Sequence, residues 1–210
     1  LHPGAMHTHD EQPVFDQPFW DNLYTEQAQR WSGNANPVLI AEASKLAPGT
    51  ALDIGSGEGG DARWLADHGW TTTGADISEV AIERALAHQG ERTIEWLHRD
   101  LLEWEPEKQY DLVTAHFFQL PPHQLGPAFT RFGNAVSPGG HLLIVGHSPH
   151  DAIASQHKHG DMLFDVDTIT ELFDASEWTT VVAEDRVRPG VDPDGSPAER
   201  ADTVVLLRRK

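Results

Sequence analysis

The stretch Thr50-Ala51-Leu52-Asp53-Ile54-Gly55-Ser56-Gly57-Glu58-Gly59-Gly60 constrains this chain more than any other. A short apolar run that ends in an acid and then in glycines reads as a buried strand delivering a ligand loop. After Gly60 the pattern turns helical, with Ala62, Leu65 and Ala66 on one side and Asp61, Arg63, Asp67 and His68 mostly on the other. The loop therefore joins a strand to a helix, and glycine lets the backbone take positive φ and approach a bound molecule closely.

At 210 residues the chain suits one α/β domain with a sizeable core. Cysteine is absent, which excludes disulfides, thiolate metal sites and a cysteine nucleophile. No apolar run approaches the roughly 20 residues that span a bilayer, and the first residues lack the apolar core of a signal peptide. A cytoplasmic protein is the expectation. Fifteen Lys+Arg against 33 Asp+Glu leave a formal net charge of -18, which argues against nucleic acid and anionic membranes as partners. Arg208, Arg209 and Lys210 are read as a solvated strand end.

Residues 1–13 are polar and irregular and are expected to be a disordered leader, partly of expression origin. Residues 14–210 are expected to form the single domain. Phe15, Phe19, Trp20, Leu23, Tyr24, Ala28 and Trp31 recur at helical spacing, and Pro37 opens a further helix ending near Leu46, so that 14–47 forms a helical cap. Strands are expected at 50–54, 70–77, 93–98, 110–118 and 141–146, with Ser78 capping the helix after the second. Helices are expected at 123–132 and 167–173. Glu177 to Asp185 and Ala201 to Arg208 read as two closing strands separated by a structureless loop of about 15 residues. The fold class is α/β: a Rossmann-like, seven-stranded, mostly parallel sheet with helices on both faces and an antiparallel last strand.

Gly55, Gly57 and Gly60 satisfy G-x-G-x-x-G, and Asp76 lies sixteen residues beyond, so the dinucleotide fingerprint is formally met. The charges oppose it. A diphosphate at the helix N-terminus would meet Glu58 and Asp61, with Asp53 just behind. A ligand carrying an ammonium and a sulfonium would be attracted instead, and S-adenosyl-L-methionine is such a ligand. Complementarity to the helix dipole accounts for the same two acids without any ligand.

These residues resemble the class I S-adenosylmethionine-dependent methyltransferases over roughly residues 20–208. Leu52 to Gly59 is similar to that family's glycine motif, Gly74-Ala75-Asp76-Ile77-Ser78 to its second-strand motif and Arg99-Asp100-Leu101 to its adenine-contact motif. Tyr110-Asp111-Leu112-Val113 is similar to its fourth strand, and Ser137-Pro138-Gly139-Gly140-His141-Leu142 to the entry of its fifth. Residues 20–37 also resemble the N-terminal segment of the small tellurite-resistance and thiopurine type. The resemblance implies a cofactor set. Asp53 would meet the ammonium, Gly55 and Gly57 the methionine portion, Asp76 with Ile77 the ribose, and Asp100 with the Leu101 backbone the adenine. Trp31 is either a lid over the cofactor or a core tryptophan. Satisfied turns and caps remain the alternative for the carboxylates.

Methyl transfer is an in-line displacement at carbon, so the protein must mainly align acceptor, methyl and sulfur. A small-molecule methyl acceptor of high pKa would need a base, and His116 and His147, at the ends of the fourth and fifth strands, are the catalytic candidates against a space-filling reading. His147, His150, His157, His159 and Asp161 match no zinc spacing, and no metal is expected. Two rivals share the fold: an NAD(P)-dependent oxidoreductase using the same glycine loop, and a non-catalytic S-adenosylmethionine-binding protein.

Overall fold

The computed structural model describes residues 34–118, 120–151 and 163–210. The expected leader, the aromatic stretch with Trp31, and His157, His159 and Asp161 lie outside the described residues. Seven strands form one sheet in the order β3-β2-β1-β4-β5-β7-β6. They are β1 (Thr50–Ile54), β2 (Thr71–Asp76), β3 (Ile94–His98), β4 (Tyr110–His116), β5 (Val136–His147), β6 (Trp178–Val191) and β7 (Pro197–Arg209). Pairs from β3 through β5 are parallel, and β7 runs antiparallel to both β5 and β6. The order reverses between β1 and β4, where ligands of open α/β sheets bind.

Strand alternation assigns the two faces. Ala51, Leu112, Leu143, Val145, Val204 and Leu206 pack with Val38, Leu39 and Ala43 of α1 (Pro37–Ala43) and Leu65 of α2 (Gly60–Asp67). Their neighbours Leu52, Ile54, Val113, Leu142, Ile144 and Val205 lie under Phe129 and Phe132 of α4 (Pro122–Asn134) and Ile169 of α5 (Val166–Thr170). The remaining helix, α3 (Glu79–Ala87), packs on β2 and β3. Asn36, Ser78 and Asp165 cap α1, α3 and α5 with side-chain oxygens that accept N–H groups of the first turn.

Three boundaries differ from the sequence reading. β4 stops at His116 because Phe117 adopts φ 54°, and its N–H turns to donate to the Val145 carbonyl. β5 begins at Val136 rather than His141, since the Ser137-Pro138-Gly139-Gly140 stretch pairs irregularly with β4 through a register shift, with Gly139 at φ 81°. The expected structureless loop is mostly a β-ribbon: β6 and β7 stay paired out to Val191 and Pro197, leaving only 192–196 as the turn. The ribbon is a backbone ladder with an Arg188–Asp202 ion pair across it, and it lacks the apolar alternation that sequence reading relies on.

Because Phe129 is fully buried between the sheet and Phe132 and Phe164, Phe129→Ala is expected to cost about 3–5 kcal/mol. Urea titration checks this: the midpoint should fall with the slope unchanged.

Candidate functional site

The carboxyl ends of β1, β2, β4 and β5 converge on the loop that follows β1. Gly55, Gly57 and Gly59 all have positive φ, at 70°, 55° and 91°. At Gly55 a Cβ would stand 3.3 Å from the Phe118 ring, so the backbone there can carry no side chain without displacing it. Gly59 is held to glycine for a different reason, because a Cβ would meet Trp96 at 2.7 Å. The indole of Trp96 also lies against Gly74, and its N–H donates to Gln89 Oε1 at 2.6 Å. The loop therefore owes part of its glycine content to Trp96 packing.

Asp76 fixes the loop. Its Oδ2 accepts the Gly57 N–H at 2.8 Å and its Oδ1 accepts the Ser78 N–H at 2.8 Å, which ties the glycine turn to the end of β2 and the start of α3. Ile77 is buried beside it, with its carbonyl 2.8 Å from His98 Nε2. Beyond β3, Asp100 is exposed and accepts the Leu102 N–H at 3.1 Å, while Leu101 is buried. Asp100 thus closes its own turn at the edge where the sequence reading placed it.

Asp53 and Asp61 bring two acids together beside the glycine loop. Asp53 is buried in β1, and its Oδ1 accepts the Thr114 hydroxyl at 3.0 Å. Burial pushes its carboxyl well above the usual carboxylate range, and the Asp61 charge adds to that. Asp61, in the first turn of α2, accepts the Asn36 N–H at 2.7 Å with Oδ1. Its Oδ2 faces His116 Nδ1 at 3.6 Å. Ligand atoms of Asp53, Asp61 and His116 all lie within 4.8 Å of one another, close enough to surround one small cationic group. Glu58 does not join them: it is paired with Arg84 at 2.9 Å.

His116 is buried with both ring nitrogens lacking a hydrogen-bond partner. Burial lowers its pKa, while Asp61 and Asp202 pull the other way. The structure therefore brings His116 to the acidic pair, as a neutral imidazole. His147 stands apart from it, its Nδ1 3.6 Å from Asp202 Oδ1 and its ring 4.6 Å from that of Phe117. His150 is separate again, bound to Asp185 at 2.8 Å. Burial pushes the Asp202 carboxyl up, yet His147 and Arg188 together hold it below the usual range.

Sequence reasoning missed Thr114, Phe117, Arg188 and Asp202 as parts of this site. The signals were slight: a hydroxyl in the apolar run of β4 and an acid opening the apolar run of β7.

The donor set can be tested against candidate ligands. A buried acid, a half-buried one and an unpartnered imidazole fit an ammonium group, and they oppose a diphosphate placed against the same loop. Comparisons with known proteins bear on the family. A sequence profile for a family described as "Methyltransferase domain" matches residues 24–184. Thiocyanate methyltransferase 1 of Arabidopsis thaliana is 27% identical over 135 residues, covering 60% of this chain and 60% of that protein. The 2-heptyl-1-hydroxyquinolin-4(1H)-one methyltransferase of Mycobacteroides abscessus is 26% identical over 149 residues, covering 66% and 65%. The chain thus spans less than two thirds of these curated relatives. Among solved structures, TehB from Haemophilus influenzae superposes with a TM-score of 0.73 over 91% of this chain and 67% of that one, at 16% identity, a likeness of fold.

An acid whose folded-state pKa is raised supports the fold fully below its unfolded value and loses that contribution as pH rises through the folded value. Asp53→Asn keeps the acceptor for Thr114 and removes the titration. The variant without cofactor should match wild type near pH 4 and exceed it in stability at neutral pH. Urea titrations of both proteins across that range check this, and a gap independent of pH would contradict the assignment.

Proposed function

The chain belongs to the methyltransferase-domain family, and we propose that it transfers the methyl group of S-adenosyl-L-methionine to a small-molecule acceptor. The observation that carries this reading is the pairing of buried Asp53 with half-buried Asp61 beside the glycine loop, a cation seat at the switch point of the sheet. Asp53, with Asp61, would hold the ammonium of the cofactor, and Gly55 and Gly57 would let its methionine portion lie on the backbone. Asp76 and Ile77 would face the ribose. An ionised carboxylate offers about four acceptor positions, so tying the loop is compatible with meeting ribose hydroxyls. Asp100 and Leu101 would border the adenine, and Trp31 would serve as a lid over the cofactor.

When bound, the cofactor supplies a methyl on a positively charged sulfur, activated for displacement. The chain's own part is to fix the cofactor seat and hold an acceptor in line with it, which converts an encounter into a positioned reaction. His116 and His147 end the two strands beside the switch point, on the side where an acceptor would stand. The curated relatives name two chemically different acceptors, a proton-free anion and an N-hydroxy heteroaromatic, so a small molecule is the class they support here.

The NAD(P) reading is disfavoured by Asp53 and Asp61, and no helix among the described residues is long and apolar enough to cross a membrane. Calorimetric titration with S-adenosylhomocysteine and with NAD(P) discriminates, with binding of the first alone expected. Binding without methyl release across a broad acceptor panel would favour the non-catalytic rival. Loss of one charged hydrogen-bond partner is worth about 1.5–3 kcal/mol, so Asp76→Ala should weaken S-adenosylhomocysteine at least ~10-fold. Unchanged affinity would remove the ribose assignment.

A further inference from the structure

We propose that His147 accepts a proton from the methyl acceptor and that Asp202, clamped by Arg188, holds the imidazole in the tautomer that does so. The acceptor is then a neutral molecule whose attacking atom carries a dissociable proton, a phenol-like or N-hydroxy compound rather than a preformed anion. This inference rests on the methyl-transfer reading above.

The antiparallel register of β5 and β7 sets Asp202 directly opposite His147. Asp202 is almost fully buried, and Arg188 of the neighbouring β6 clamps both of its oxygens, Nε donating to Oδ2 at 2.8 Å and Nη2 to Oδ1 at 3.4 Å. Oδ1 also stands 3.6 Å from His147 Nδ1. That last distance is long for a hydrogen bond, and pairs of this kind commonly tighten only when substrate closes the site. Nδ1 has no other partner and no contact with solvent, whereas the side chain as a whole is 26% exposed. The exposure therefore belongs to atoms of the side chain other than Nδ1.

Phe117 supports the ring from the side. Among the described residues it is the one non-glycine with positive φ, a costly conformation for a bulky residue. The strained backbone brings its side chain against His147. His116, one residue earlier, cannot serve in the same way, because it is enclosed and faces Asp61. The two imidazoles thus divide the work, one behind the cation seat and the other open to the acceptor side.

The surrounding charge selects the acceptor class. Arg188 is already engaged by Asp202, and Asp53 and Asp61 stand together at the strand ends. Neither pair offers an anion a free cation, whereas a neutral acceptor deprotonated in place needs none. In the step, the X–H bond of the acceptor breaks and its proton goes to His147 Nε2. The electron pair left on X forms the X–CH3 bond as the S–CH3 pair returns to sulfur, leaving a neutral thioether. The imidazolium then releases its proton to water.

The test uses full-length protein labelled with 15N-histidine and saturated with S-adenosylhomocysteine at mildly alkaline pH, with the His147 signal identified by its loss in His147→Gln. The wild type is expected to carry its proton on Nδ1 and a bare Nε2. Asp202→Asn, which keeps size and an acceptor for Arg188, is expected to lose that preference while binding S-adenosylhomocysteine as tightly as wild type. Turnover of a panel of phenols and N-hydroxy heteroaromatics should fall about 100-fold in His147→Gln and in Asp202→Asn, with KM little changed. A proton on Nε2 in the wild type overturns the proposal, as does protic turnover that survives both substitutions or transfer confined to a proton-free anion such as thiocyanate. Absence of S-adenosylhomocysteine binding to the wild type would sink the methyl-transfer reading itself, and is thereby told apart from failure of the proton-transfer inference alone.

Discussion

Asp53 is an acid buried beneath a second acid, and the region around the switch point is arranged to make that tolerable. Thr114 donates to it from β4, Asp61 is steadied by the Asn36 N–H, and His116 closes the far side as a neutral ring. None of these neighbours supplies a positive charge. A core of this kind is stabilised by packing elsewhere and accepts a local cost where a cationic ligand would remove it. The expectation that Asp53→Asn is the more stable protein at neutral pH follows from the same imbalance.

The attachments of α1 extend this arrangement. Asn36 caps α1 with its side chain and gives its backbone N–H to Asp61, so the start of the helix is fastened to the site. Glu42 near its other end is buried and bound to Arg186 of β6 at 2.6 Å. The helix is thus pinned both to the cation seat and to the closing ribbon. Movement of either attachment would be felt at the other through seven residues of regular backbone.

The strand, glycine loop and helix start around Asp53 and Asp76 were legible in the sequence because each part is local. A strand, its acid and its glycines are contiguous, and Asp76 and Ser78 announce a strand end and a helix start within three residues. The acceptor side was not legible, because it is made by register. Asp202 meets His147 only through the β5–β7 pairing, and Arg188 meets Asp202 only because β6 and β7 stay paired beyond the sheet. The polar, proline-containing stretch 186–200 has no apolar alternation, since its strands are held by the backbone ladder with little buried side chain, and it therefore read as a loop. The positive φ of Phe117 lies inside an apolar run that read as uninterrupted strand. His116 and His147 were equivalent by sequence position and are not equivalent in space.

That inequivalence bears on how one sheet can serve many acceptors. The seat for the ammonium draws on β1, β4 and α2, the elements on which the parallel core depends, whereas the environment of His147 draws on β6 and β7, joined to that core by a single antiparallel pairing. Substitutions in the ribbon can change the acid opposite β5, or the arginine behind it, while leaving Asp53, Thr114 and Asp76 in place. A chain that exchanged Asp202 and Arg188 for groups of opposite effect would keep the cation seat and lose the means to deprotonate an acceptor. Its remaining acceptors would be those whose lone pair is already available. On the reading proposed for this chain, acceptor chemistry would depend on the closing ribbon, and the cofactor seat on the parallel core.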